Sequence, residues 1–527
     1  MRDFHFPGRS AVHSTNSMVA TSHPLATEAA MQILREGGTA MDAAIAGSAV
    51  MAVVEPQMTG IGGDCFALLA ASSGPVVAFN GSGRAPAAAS AGRLRDEGHT
   101  HVPIDSVHAV TMPGAIDGWF RLHARFGSLD MARLLRPAIG YARGGYPVHA
   151  RVARDWKRAQ THLAKRDATR ALFLPAGGSP SEGTVHRQER LAETLELIAR
   201  GGPRAFYEGA VAEAMVRTLR SHGGMHTAED FAAVAGDYVD PISTDYRGRT
   251  VHQVPPNNQG ITALMMLNLL EGFDIASMRP DSAERLHVEI ETARLAYAMR
   301  DRHLADLGSM TVGVDDILSK SRADDLRKRI SPESAMTDIG PLGLRTSDTV
   351  YISVVDKDLN AVSFINSIFD SFGSGILCPE TGVLFQNRGH SFSLDPDHPN
   401  ALVPGKRPMH TIMPGMVTDN GRPVLSFGVM GGDYQPIGQA RVIANVFEQG
   451  LGLQDVIDAP RVFPQDGAVE VERSVPPDVL SGLEDLGHTL RLATDPLGGA
   501  QAIRIDHDSG ILTGASDPRK DGQVAGY

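Results

Sequence analysis

With 527 residues the chain is too long for one hydrophobic core, so two closely packed parts or a single large sandwich is expected. Its 49 basic and 61 acidic side chains leave a net charge of −12, which argues against a nucleic-acid surface, while 42% hydrophobic and 21% charged residues describe a soluble globular protein. Two cysteines, Cys65 and Cys378, cannot make a disulfide framework and read as buried thiols.

In chain order, residues 1–7 lack the apolar core of a signal peptide. A helix is expected over 24–35, with Pro24 near its start and Gly37-Gly38 at its end. A second, over 40–54, is apolar all round and so buried. The hydrophobic run 41–54 contains Asp42 and stops at Glu55-Pro56, too short to span a bilayer. A cytoplasmic protein with no membrane partner is the expectation.

The turn Thr59-Gly-Ile-Gly-Gly-Asp64 precedes a strand over 65–70 instead of joining strand to helix, and no G-x-G-x-x-G occurs, so a nucleotide site is not expected. A strand over 76–79 leads to Gly81-Ser-Gly-Arg84. From 113 to about 330 the pattern is mainly helical, with helices over 115–126, 131–142, 190–199, 211–221, 261–270 and 282–302. His287, on the last of these, reads as a packed histidine. No H-E-x-x-H and no G-x-S-x-G is present, which disfavours zinc and serine hydrolases, and no metal or cofactor is expected.

Residues 331–348 turn polar and irregular, like an exposed connection. The run 349–356 then alternates apolar residues in strand fashion, breaks at Asp356-Lys-Asp-Leu-Asn360 and forms a hairpin with 361–365. Short strands over 383–385, 415–417 and 424–427, helices over 436–449 and 453–458, and further strand–turn elements complete the chain. Strands, a helical middle, then strands and helices indicate layered α/β packing.

Thr349 heads the hairpin. A threonine hydroxyl is a weak nucleophile, but at a new chain terminus its own α-amine, titrating near pH ~8, would serve as the base. Gly428-Val-Met-Gly431-Gly432-Asp433 supplies backbone N–H groups with no side chains to obstruct a developing oxyanion.

At these residues the chain resembles the γ-glutamyltransferase (γ-glutamyltranspeptidase) family of N-terminal-nucleophile hydrolases, over nearly its whole length. The matching pieces run in family order: Gly60-Ile-Gly-Gly-Asp64, Pro113-Gly114 with Gly118, Ala205-Phe-Tyr-Glu-Gly209, Gly223-Gly224 with Glu229-Asp230-Phe231, Tyr246-Arg-Gly248 and Pro255-Pro256. Asp348-Thr349 with Ser353-Val-Val-Asp356, Phe372-Gly-Ser-Gly375, Lys406-Arg-Pro408, Gly431-Gly432 and Gly514-Ala-Ser-Asp-Pro-Arg519 follow. The resemblance implies a four-layer αββα sandwich and a zymogen that cuts itself between Asp348 and Thr349. The products would be a largely helical large subunit, 1–348, and a small subunit, 349–527, that stay paired as one unit and can assemble as a dimer of heterodimers. It implies Thr349 as nucleophile, Ser367 as the hydroxyl that hydrogen-bonds it, and Gly431 and Gly432 as the oxyanion pair.

The residues that read a γ-glutamyl donor in the family do not match. The family's arginine position falls on Ser82, with Arg84 two residues on; its serine pair becomes His410-Thr411; its asparagine becomes Phe369; its glutamine and aspartate become Arg388 and Ser391, beside His390. A serine in place of an amine-binding acid leaves a donor ammonium poorly paired, and an added arginine suits a carboxylate. The Asn387-Arg-Gly-His390 stretch resembles oxamate amidohydrolase-like and cephalosporin-acylase-like members. An amide hydrolase or acyltransferase acting on a small-molecule acid donor is therefore expected. The alternatives are a glutathione hydrolase in which Arg84, Asp370 or Asp395 restores the lost anchors, and an uncleaved, inactive binding homologue.

Overall fold

The strand Val350–Val355 is apolar along its length because both of its faces are covered. Val350, Ile352 and Val354 point into the cluster packed under the N-terminal helices, and Tyr351 and Val355 point into a second cluster on the opposite face. This is the two-residue alternation of an extended chain. Its hairpin turn is held by Asp356, whose Oδ1 accepts from the N–H groups of Asp358 and Asn360 at 3.0 Å each. The partner strand runs Ala361–Ser367, two residues beyond the expected end, and that extension sets Ser367 opposite Asp64 in the next strand.

The computed structural model describes residues 5, 8–340, 342 and 349–527. Two seven-stranded sheets dominate the described residues. The first runs, edge to edge, Gln523–Gly526, Met18–Thr21, Val350–Val355, Ala361–Ser367, Asp64–Ala70, Val77–Gly81, Asp237–Val239. The second runs Val12–Ser14, Leu512–Ser516, Gly499–Ile505, Arg422–Met430, Gly415–Asp419, Arg249–Gln253, Ile242–Tyr246. Neighbouring strands in both are antiparallel.

The sheets stack face to face. Met18, Phe66, Leu68, Tyr351, Ile365, Met416, Met430 and Ile503 fill the space between them. Ser353 Oγ donates to Ser426 Oγ across that space at 2.7 Å. Helices Pro24–Arg35, Ala40–Val54 and Ala115–Phe126 cover the outer face of the first sheet, and Gly260–Leu270, Ala283–His303 and Gln435–Phe447 cover the second. The result is the expected αββα sandwich. Each sheet takes strands from both sides of Thr349.

The stretch 113–330 is mainly helical, and it also contributes the strands Asp237–Val239, Ile242–Tyr246 and Arg249–Gln253, which complete the sheet edges. One expectation fails: segment 383–385 is not a strand, and Leu384 and Phe385 make only isolated bridges, to Leu377 and Gly62. Such short pieces gain their structure from neighbours distant in sequence. Cys65 and Cys378 are buried and unpaired. No helix among the described residues is long and apolar enough to cross a membrane.

Candidate active site

The register between the two sheets locates the centre. Ser353 faces Ser426, and a Cβ on Gly428 would lie 2.3 Å from the Tyr351 ring. Continued by one more alternation, the same register points Thr349, at the head of its strand, toward the end of Arg422–Met430. Thr349 is 1% exposed, with Oγ1 3.4 Å from Ser367 Oγ. Ser367 Oγ also accepts from the Phe369 N–H at 2.9 Å, which fixes it beside the threonine. Gly431 and Gly432 have φ of +117° and +59°, a turn that carries the strand into helix Gln435–Phe447. A Cβ on Gly431 would stand 2.7 Å from Gly498 Cα, so glycine is required there for space as well as for conformation.

Asp433, just past the glycines, is fixed by the Arg300 guanidinium at 2.5 Å, and Tyr297 Oη donates to its carbonyl. Arg300 Nη1 also donates to Gln259 Oε1 at 2.8 Å. Gln259 Nε2 in turn donates to the carbonyls of Thr411 and Gly432, at 2.6 and 3.0 Å. One glutamine thereby ties the glycine turn to the segment carrying His410 and Thr411.

That segment meets Arg388, which is 1% exposed. Arg388 Nη1 donates to Thr411 Oγ1 at 2.8 Å, and the guanidinium carbon lies 4.0 Å from the centroid of the Phe369 ring. Phe369 holds φ of +79°, a left-handed conformation that costs a side chain about 1 kcal/mol or more and persists where surrounding contacts impose it. Beside them, His410 Nε2 donates to Asp64 Oδ2 at 3.1 Å. Burial and the Arg388 charge push His410 down to about 3, so it is neutral at working pH. Asp64 is fully buried, and its Oδ1 accepts from the N–H groups of Gly83 and Gly114 and from Gln386 Nε2, at 2.9, 3.1 and 3.0 Å.

Thr349, Ser367, Phe369, Arg388, His410, Thr411 and the two glycines thus form one linked cluster. A cavity of about 360 Å³ opens beside it, with Asp370, Ser371, Asn387, Gly431, Gly498 and Lys520 on its wall. Three expected residues lie differently. Arg84 is half-exposed and faces Asp237 and Asp306, at 3.8 and 3.9 Å. His390 Nδ1 bonds the Val102 carbonyl at 2.6 Å, with its ring 6.3 Å from Phe369. Ser391 is partly exposed and its carbonyl accepts from Asn400 Nδ2. Asp348 lies outside the described residues.

Sequence reasoning missed Asp64, Gln259 and Arg300 as parts of the site. Asp64 had a signal: an acid between a glycine run and an apolar strand has to be buried and compensated. Gln259 and Arg300 had none, since helical spacing does not reveal which partner a buried polar group meets.

Among the described residues one group has metal-ligand spacing, His287, Glu291 and His488. Its members are already engaged. The two ring nitrogens hydrogen-bond at 2.7 Å, His287 Nε2 bonds the Ser331 carbonyl, and Glu291 accepts from the Met336 N–H. Two nitrogens sharing one tetrahedral zinc stand ~3.3 Å apart, given bonds of about 2.0–2.1 Å. The trio pins segment 331–336 against the helix, as expected of a packed histidine.

A family model described as gamma-glutamyltranspeptidase matches residues 26–527. The chain is 39% identical over 529 residues to the glutathione hydrolase-like YwrD proenzyme of Bacillus subtilis, spanning 98% of this chain and 99% of that one. It is 36% identical over 531 residues to the oxamate amidohydrolase proenzyme of Klebsiella pneumoniae, again spanning 98% and 99%. The crystal structure of cephalosporin acylase from Bacillus halodurans superposes with a TM-score of 0.93 at 40% identity, over 100% of this chain and 99% of that one.

Proposed function

Because the chain belongs to the gamma-glutamyltranspeptidase family, we propose that it is a self-processing amide hydrolase or acyltransferase whose nucleophile is Thr349 and whose donor is a small acid other than γ-glutamyl. The observation that carries this reading is the Thr349 hydroxyl, buried at the head of the strand Val350–Val355 and 3.4 Å from Ser367 Oγ. The names of the relatives support it further, since oxamate amidohydrolase and cephalosporin acylase both cleave amides.

In maturation, Thr349 Oγ1 attacks the carbonyl of residue 348, the peptide C–N bond breaks, and an ester forms. Water then cleaves that ester and leaves pieces of 348 and 179 residues, paired because both sheets draw on each. In catalysis the new α-amine takes the Thr349 hydroxyl proton as Oγ1 adds to the donor carbonyl. The N–H groups of Gly431 and Gly432 hold the oxyanion, and the proton passes to the departing amine. Water or a second amine then attacks the acyl-threonine and restores the hydroxyl. Ser367 orients the nucleophile. A cytoplasmic setting is supported by two buried thiols that form no disulfide.

The test is Thr349→Ala, which should run as one chain on a denaturing gel and release no amine. A variant that still splits at this bond removes Thr349 from the mechanism. Little or no release of anilide from γ-glutamyl anilides is expected from the unaltered protein.

A further inference from the structure

Helices Ala283–His303 and Gln435–Phe447 meet at two places. Toward one end Tyr297 and Arg300 hold Asp433, beside the glycine turn. Toward the other a charged cluster is sealed between them: Arg285 and Asn445 are 0% exposed, Glu289 1% and Arg441 6%. Glu289 serves both guanidinium groups, its Oε1 accepting from Arg285 Nε at 2.7 Å and its Oε2 from Arg441 Nη1 at 2.5 Å. Arg285 Nη2 donates to Asn445 Oδ1 at 3.5 Å, so the oxygen is the end of the amide that meets the guanidinium.

Three buried atoms of this cluster have no hydrogen-bond partner among the described residues: Arg285 Nη1, Arg441 Nε and Asn445 Nδ2. All three are donors, and no acceptor of the cluster is left over with them. The charge is out of balance in the same sense, since two guanidinium groups share one buried carboxylate. Asp281 reaches Arg441 Nη2 at 2.8 Å from the edge, where it is 41% exposed. Glu448, further along the second helix, is held by Arg247 and Tyr246. Buried donors are costly unless paired, and buried charge more so. A water would answer neither deficit: it brings no charge, and its own two protons need acceptors where only donors stand open.

We infer that Arg285, Arg441 and Asn445 bind one monovalent anion of the halide kind, with chloride as the physiological occupant. A halide accepts from several donors without orienting protons of its own, and a single negative charge matches the single excess positive charge. Closure of the cluster to solvent favours a small anion over sulfate or phosphate, which bring more charge than it can balance. The ion pins the helix that carries Tyr297 and Arg300 to the helix that follows the glycine turn. Arg285 and Glu289 precede residue 349 in the chain, whereas Arg441 and Asn445 follow it. On the Thr349 reading the ion therefore also ties the two pieces together after cleavage, although the site itself does not depend on that reading.

The experiment uses the full-length purified protein, dialysed into sodium gluconate, and reads Tm as sodium chloride or sodium bromide replaces the gluconate at constant ionic strength. Either halide should raise Tm by at least about 3 °C, and the rise should saturate, as binding to one site of the folded state requires. A rise that grows without saturating is the general effect of salt on the surface and overturns the inference. Crystals grown in bromide should show an anomalous peak within hydrogen-bond reach of Arg285 Nη1, Arg441 Nε and Asn445 Nδ2. Asn445→Asp supplies a carboxylate where the anion is needed. This variant should hold in gluconate the Tm that the unaltered protein reaches only in chloride, and should lose the halide response. Equal Tm in gluconate and chloride overturns the inference, as do bromide crystals with no peak between the two helices. An Asn445→Asp variant that keeps the full halide response overturns it too. Should that variant fail to fold, the titration and the bromide peak of the unaltered protein decide.

Discussion

At the scale of single residues, the site is a set of hydroxyls and charges whose properties are fixed by burial. The general base proposed here is an α-amine with an ordinary value near ~8, so kcat/KM should rise with pH through that region and level off above it. A flat profile from pH 6 to 9 would point to a different base. Ser367→Ala removes the partner that orients Thr349 and should slow both self-cleavage and turnover, on the order of 10- to 100-fold, read by gel densitometry and by initial rates. Asp64 accepts four hydrogen bonds in a fully buried position. Asp64→Asn turns one acceptor oxygen into a donor facing other donors, which should cost roughly 1–3 kcal/mol and lower the denaturant midpoint at unchanged slope.

Glycines decide what the elements can do. The two sheets approach closely because Gly428 leaves room for the Tyr351 ring, 2.3 Å from where a Cβ would be. Gly431 is constrained twice, by φ of +117° and by the Gly498 backbone. Gly431→Ala should therefore misplace an oxyanion donor and reduce kcat by about 10²–10³-fold, while circular dichroism still reports the unaltered content of helix and strand. Full activity in that variant would remove the glycine turn from the oxyanion site. The hairpin contributes in a different way: carrying the second strand on to Ser367 is what brings a hydroxyl beside Thr349 and opposite Asp64.

Across the whole molecule, buried ionisable groups away from the site set how stability responds to pH. Glu55 is raised from 4.5 to about 8, first by burial, although Ser22 Oγ donates to it at 2.6 Å. The folded chain thus keeps a proton that the unfolded chain releases near 4.5. This contribution to stability is complete below that value and is lost as pH rises through about 8. Glu55→Gln, which mimics the protonated form, should raise Tm at pH 9 by a few degrees relative to the unaltered protein and leave it nearly unchanged at pH 5. An equal shift at both pH values would show that Glu55 does not titrate with folding.

The sequence by itself determined the elements whose signals are local. The helices Pro24–Arg35, Ala40–Val54 and Ala115–Phe126 fall on their expected bounds because periodicity and end signals lie within each segment. The hairpin, its turn at Asp356 and the glycine pair were legible for the same reason, and ordered motifs over the whole chain carried the family. Tertiary structure alone decided the rest. Edge strands such as Asp237–Val239 exist only because a neighbouring strand completes their hydrogen bonds. Arg84 and Arg388 look alike in sequence, yet one sits half in solvent beside two acids and the other is sealed over an aromatic ring. Charge compensation depends on which groups meet in space, and residues 64, 259, 388 and 410 meet only once the two sheets have closed on each other.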